Sequence, residues 1–183
     1  MRRVLLLLGV VVLVAAGVGY GASGSVPRGA MVFSSTRSPM LHSEIWVVDA
    51  RTGARRSFSR SPTRDDEPTV SPDRQLVAFV SDRDGADAVW TRRADGTGLR
   101  RIAGPFRDAY VRGLRWNPSG RRLAFVVAGK TGQVWIVSRT GGHATRWGER
   151  ASEVEWSPDG RRLAMTESNE SGAPSVAVYG VDG

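Results

Sequence analysis

Two short runs hold the side chains best suited to chemistry: "RDDE", Arg64 to Glu67, and "DRDGAD", Asp82 to Asp87. In the second, Asp82, Asp84 and Asp87 surround Gly85, a grouping superficially like a calcium loop. The D-x-D-x-D-G order and the distal bidentate glutamate of such a loop are missing. A hairpin that turns on Asp84-Gly85 accounts for the same letters. The first run mixes both signs of charge, which suits a polar or peptide partner. His42 and His143 both sit in turn-like segments, and neither has a second ligand at i+2 or i+4. No G-x-S-x-G nucleophile elbow occurs. Cysteine is absent, which removes disulfides, thiolate metal sites, a cysteine nucleophile and a lipid-attachment cysteine together. The expectation is a non-enzymatic chain with no metal and no cofactor.

Charge narrows the partners further. The formal net charge is +8, but Lys130 is the only lysine and the arginines are scattered among 18 acidic residues. No basic helix or stripe forms, so nucleic acid is not the expected partner.

The elements that must carry these residues are written as a repeat. "EPTVSPDRQLVAF" (Glu67–Phe79), "GLRWNPSGRRLAF" (Gly113–Phe125) and "EVEWSPDGRRLAM" (Glu153–Met165) align on Pro72, Pro118 and Pro158, 46 and 40 residues apart. Two residues before each proline lie Val70, Trp116 and Trp156; seven after lie Phe79, Phe125 and Met165, with Phe33 earlier in the same column. A second column holds Trp46, Trp90 and Trp135, and Ala177 takes that place in the last segment. Val77, Leu123 and Leu163 point the same way as the Phe/Met column, while Ala78, Ala124 and Ala164 point the other way. Strands that are apolar on both faces, large on one and small on the other, fit sheets stacked face to face around an axis. "SPDR", "NPSG" and "SPDG" are tight turns between the first and second strands, where proline presets φ and Asp or Asn bonds back to the backbone. A period of 40 to 46 residues with several short strands marks a propeller blade.

These motifs, "EWSPDGRRLAM" and "FVSDRDGADAVWTRRADG" above all, resemble the repeats of the TolB-like six-bladed β-propellers, a WD-type repeat of exported bacterial proteins. The resemblance covers about residues 31–183 and implies an all-β fold of about four blades, near 31–60, 68–103, 111–147 and 152–183. Blade one would supply three strands, blades two and three four each, and blade four three. That is fewer than a closed ring needs, so the fold is expected to be an open or partial arc. Three accounts stay open: a truncated or fragmentary chain, two arcs that self-associate into a closed propeller, and an arc that stands alone or docks on another protein.

In a propeller the connection into each inner strand reaches the axial mouth. The candidate partner-binding rim is therefore Arg64, Asp65, Asp66 and Glu67 of blade two, Arg112 of blade three and Glu153 of blade four, with a protein or peptide as partner. The alternative, implied by the same resemblance, is the N-terminal gating propeller of a prolyl-oligopeptidase-like serine peptidase.

Residues 1–24 stand apart from the repeat. Arg2 and Arg3 precede an uncharged run from Val4 to about Ala22, and small residues come next. That is the pattern of a signal peptide, and at this length it also suits a membrane-anchoring helix. Both readings place the blades, beyond a linker at 25–30, outside the cytoplasmic membrane, either anchored to its outer face or released as a periplasmic or secreted protein.

Overall fold

The computed structural model of the chain describes residues 11–12, 25–26, 29–36, 42–168 and 173–181. These residues form four antiparallel sheets. The first contains β1 (Val11–Val12), β2 (Ala30–Thr36), β3 (Ser43–Asp49) and β4 (Arg55–Ser57). The second contains β5 (Asp65–Val70), β6 (Leu76–Ser81), β7 (Asp87–Arg93) and β8 (Arg100–Phe106). The third is β9 (Tyr110–Trp116), β10 (Arg122–Ala128), β11 (Gly132–Ser138) and β12 (Thr145–Glu149). The fourth is β13 (Ala151–Trp156), β14 (Arg162–Ser168) and β15 (Pro174–Gly180). In each sheet the strands lie in chain order, as expected of a blade that starts at the axis and works outward. Among the described residues there is no helix, and so none long and apolar enough to cross a membrane.

The two aromatic columns of the sequence meet across the sheets. Phe33 lies opposite Trp46, Phe79 opposite Trp90 and Phe125 opposite Trp135; in blade four Met165 faces Ala177 in the same register. The proline turns close as expected: the Gly120 and Gly160 amides donate to the Asn117 and Ser157 carbonyls, and Arg74 does the same to Ser71. All three turn residues have positive φ, at 67°, 70° and 59°. The glycines adopt that conformation without strain, whereas Arg74 does so at a cost.

Three apolar cores separate the four sheets, each built from the small face of one blade and the large face of the next. Val32, Ile45 and Val47 of blade one receive Val77, Phe79 and Trp90 of blade two. Ala78, Val80 and Val89 receive Leu123 and Phe125. Ala124, Val126, Val134 and Ile136 receive Leu163 and Met165. Burying one large aliphatic or aromatic side chain contributes about 1.5–3 kcal/mol, so these joints hold the arc together.

Polar links stitch the same joints. The indole N–H of Trp116 donates to the Thr69 carbonyl at 3.3 Å, and that of Trp156 to the Arg115 carbonyl at 3.0 Å. Arg139 pairs with Asp73 at 2.7 Å, and Arg115 with Glu155 at 2.8 Å.

One element departs from the sequence reading. The apolar run of residues 4–22 reads as a helix, yet Val11 and Val12 pair as strand β1 with Phe33 and Val32. The inner edge of β2 offers unpaired N–H and C=O groups, and two β-branched residues satisfy them in extended form. Val12 thereby takes the innermost-strand position of blade one, beside Val32, as Arg115 stands beside Ala124 in blade three. The rest of the expected signal or anchor segment lies outside the described residues.

Candidate functional site

Inner strands β5, β9 and β13 start at the same end of the arc as the turns between second and third strands, and along their middle they line a cleft of about 670 Å³ that is closed on the blade-four side by Ala164, Met165, Thr166 and Val176. Glu67 and Thr69 come from blade two, Arg112 and Arg115 from blade three, and Glu153 and Glu155 from blade four. Each inner strand is irregular at this level. The pairing register shifts between Asp66 and Thr69 opposite β6, between Ala124 and Val126 opposite β9, and between Ala151 and Glu153 opposite β14. A bulge re-aims side chains and increases twist, and bulges concentrate where a strand must present something. The first two sit at the same repeat position, and the third falls one residue earlier in its strand.

Glu67 is the most distorted residue of the cleft. Its φ is +54°, and Gly113, at the same repeat position one blade on, has φ +63°. Glycine reaches that region freely; a glutamate does so only when its surroundings hold it there. What holds it is the next blade: the Gly113 amide donates to Glu67 Oε2 at 3.0 Å. Arg112 stands beside this bond. Its guanidinium lies 6.0 Å from the ring centre of exposed Tyr110, and its Nε is buried without a hydrogen-bond partner among the described residues. Glu153 is exposed, and Glu155 is tied to Arg115.

The "RDDE" run divides. Asp65 is 0% exposed, and its Oδ1 accepts from Arg83 at 2.8 Å. Strand alternation turns it into the joint between blades one and two, away from the cleft. Arg83 in turn lies over the rings of Phe79 and Trp90, at 5.3 Å and 5.0 Å. Arg64 pairs with Asp66 at 3.4 Å and with Asp87. Burial disfavours the Arg64 cation, but the Asp87 hydrogen bond and charge outweigh it and raise its pKa above the ordinary value.

The carboxylates of "DRDGAD" are all engaged within the chain. Asp82 accepts from the Arg64 amide at 3.0 Å, Asp84 pairs with Arg101, and Asp87 Oδ2 accepts from the Val111 amide of blade three at 2.9 Å. Asp84-Gly85 forms the expected turn, with the Gly85 amide on the Asp82 carbonyl at 2.7 Å. His42 and His143 are exposed, and among the described residues no three His, Cys, Asp or Glu side chains gather to hold a metal. Sequence reasoning missed Thr69, Arg115 and Glu155, which line the cleft two residues further along each strand. Period-two alternation from Glu67 and Glu153 was the available signal.

Four sheets ordered from axis to rim, stacked large face on small face, define an arc of a β-propeller. Its blades are similar to those of TolB and WD40 propellers. Residues 69–147 match the family model described as the anaphase-promoting complex subunit 4 WD40 domain. An uncharacterised protein of Agrobacterium fabrum is 30% identical over 84 residues, which are 45% of this chain and 28% of that protein. A structure described as TolB from Agrobacterium tumefaciens superimposes with a TM-score of 0.63 at 22% identity, covering 72% of this chain and 52% of that one. TolB from Acinetobacter baumannii gives 0.67 at 17%, covering 84% and 38%. An oligogalacturonate lyase in complex with manganese gives 0.67 at 18%, covering 83% and 47%. The chain thus spans about half or less of the length of each of these proteins. At these identities the structural likeness establishes the fold and leaves activity aside.

Proposed function

We propose that the chain is an exported, non-enzymatic propeller module that binds a protein or peptide partner at the axial mouth. The observation that carries this reading is the cleft itself: charged side chains from three consecutive blades converge on one space, with Glu67 held in a strained conformation on its blade-two side. Strain at a surface cleft, secured by a cross-blade hydrogen bond, fits a site shaped for recognition. Arg112 and Glu153 present opposite charges there, which favours a polar segment able to meet both. The arginine pair and apolar run at the start of the chain support an outer location for this mouth, either anchored to the cytoplasmic membrane or released.

Site-specific photocross-linking in cells tests the binding reading. A photoreactive residue at Glu153 or Arg112 of the full chain is expected to give a discrete protein adduct. The same residue at Leu99, in an exposed loop at the opposite end of the blades, is expected to give none. Equal labelling from both ends refutes a mouth-specific partner. Alkaline phosphatase fused after Gly183 reports export, and an inactive fusion overturns it. The gating-propeller alternative predicts that the native gene product reacts with a fluorophosphonate serine probe; the binding-module reading predicts no labelling.

A further inference from the structure

Arginines that are scattered along the sequence are sorted by the fold. In an antiparallel blade the turn from first to second strand and the turn from third to fourth lie at one end of the sheet, away from the end where the inner strands start. The spans 49–55, 70–76, 93–100, 116–122, 138–145 and 156–162 make up these turns, and in them ten arginines stand against four aspartates, with no lysine or glutamate. Arg51, Arg93, Arg100, Arg121, Arg161 and Arg162 are exposed, and none forms an ion pair among the described residues. The aspartates are bonded back into their own turns: Asp49 accepts from the Thr52 amide at 2.9 Å, Asp73 from Gln75 at 3.1 Å, Asp95 from Thr97 at 2.8 Å and Asp159 from Arg161 at 3.0 Å. The connections at the opposite end are mixed in sign, with Asp82, Asp84 and Glu149 among Arg107, Lys130 and Arg150. The undescribed residues hold only two side-chain carboxylates, Glu170 and Asp182, too few to cancel a surplus of six arginines.

Neighbouring turns touch, so this charge is continuous from blade to blade. Arg139 of blade three pairs with Asp73 of blade two at 2.7 Å, and between those blades lies a hollow of about 870 Å³ walled in part by Arg93, Arg100 and Arg139. Leu99, next to Arg100, is 42% exposed, an apolar tip among the cations. The aromatic rings in these spans, Trp116 and Trp156, are buried, so this end offers no platform on which nucleic-acid bases could stack. The chain also joins the first blade here. The Val26 amide donates to the Arg74 carbonyl at 2.6 Å, its side chain is buried, and Ser25 lines the hollow. The uncharged run from Val4 to about Ala22 comes directly before it in the chain.

We infer that this basic end docks on a membrane surface containing anionic phospholipid, with the arginines meeting lipid phosphates and Leu99 entering the headgroup layer. Docking in this way needs no spanning helix, since Val11 and Val12 pair with β2 and the contact rests on the turns. It also holds the axial mouth away from the bilayer, open to a partner. The docking residues are not among those lining the cleft, so the partner-binding reading stands or falls independently of this surface.

The cysteine-free chain allows a direct test. Full-length protein carrying Leu99→Cys at the basic end, or Lys130→Cys at the opposite end, is labelled with an environment-sensitive fluorophore. Each is mixed with vesicles that contain a headgroup-quencher lipid, made of phosphatidylcholine alone or with phosphatidylglycerol. The expected result is quenching of the Leu99→Cys label on the phosphatidylglycerol vesicles only, and none of the Lys130→Cys label on either. Quenching should be lost in about 1 M salt, where charge is screened beyond about 3 Å. Adding Arg93→Gln and Arg100→Gln is expected to lower the ratio of docked to free protein about 25-fold, roughly fivefold for each arginine. Both side chains are exposed, so the blade stays folded, as circular dichroism would verify. Quenching that is equal on both kinds of vesicle, or that survives the salt, would show that apolar contact alone brings this end to lipid, and overturns the inference. So does equal quenching at both ends, its absence at Leu99→Cys, or a ratio unchanged by the arginine substitutions. Release from the vesicles by a single-stranded RNA oligonucleotide that binds the labelled end would assign the surface to nucleic acid instead.

Discussion

Replacing Asp87 tests whether the acidic hairpin serves as a joint between blades. Its side chain is 6% exposed; one oxygen accepts from Arg64 and the other from the Val111 amide at 2.9 Å, on the first inner residues of blade three. Asp87→Ala leaves the buried Val111 N–H without an acceptor, a loss of about 1–3 kcal/mol. The Arg64 contribution is smaller. That side chain is 37% exposed and keeps Asp66 at 3.4 Å, so solvent screening limits its loss to about 0–1 kcal/mol. The expected total is about 1–4 kcal/mol for Asp87→Ala, and about 0–1 kcal/mol for Asp87→Asn, which keeps an acceptor for Val111. Urea unfolding of the full-length chain in mild detergent, followed by tryptophan fluorescence, measures both. Equal destabilisation by Ala and Asn would show that the bond to Val111 is not what Asp87 contributes. A calcium-dependent rise in the wild-type midpoint that Asp87→Asn abolishes would restore the metal reading and refute the joint.

Other perturbations probe neighbouring features. A Cβ on Gly132 would lie 1.9 Å from the Ala151 carbonyl oxygen, so Gly132→Ala should force blades three and four apart and cost about 2 kcal/mol or more in the same unfolding assay. Trp156→Phe removes the indole bond to the Arg115 carbonyl and should cost about 1 kcal/mol beyond the lost ring area; no loss would mean that the indole bond adds nothing to packing. Four turn aspartates have carboxyl pKa values below the ordinary 3.8: Asp49 through the Thr52 amide, Asp95 through the Thr97 amide, Asp159 through the Ser157 hydroxyl, and Asp73, where burial pushes upward but bonds from Ser71 and Arg139 prevail. A lowered folded pKa stabilises above the unfolded value and is lost as pH falls through the folded one. The urea midpoint should therefore hold from pH 7 to about 5 and drop below about 4; a flat profile down to pH 2 would contradict these assignments.

Much of the architecture was legible because a blade is local. The proline turns, the Phe/Met column and the tryptophan column each report contacts within one sheet, and the register confirms them pair by pair. Even Ala177 in the tryptophan place fell where the column put it. The rim was only partly legible. "RDDE" reads as loop charge, yet Asp65 opens strand β5 and alternation buries it against Arg83. A charged residue at a strand start gives no sign of which face it takes until the bulge beyond it is located. Within the apolar run, hydropathy gave no sign that Val11 and Val12 would pair with the open edge of β2.

The column five residues before each proline links the repeat to its use. It holds Glu67, Gly113 and Glu153, and a glycine in a strand column is a signal for positive φ. Gly113 adopts that φ freely, and its amide is then turned back toward blade two, where Glu67 accepts it. Glu67, in the same conformation without a glycine's freedom, depends on that bond. The strain at the mouth is thus carried by the joint between blades, and loosening one loosens the other. Glu67→Gly should separate the two roles: it relieves the strained φ and removes the carboxylate together. If the carboxylate acts mainly on the partner, stability stays within about 0.5 kcal/mol of wild type while the photocross-linked adduct at Glu153 is lost. If the adduct survives unchanged, Glu67 is only a clasp between blades and recognition rests on Arg112 and Glu153.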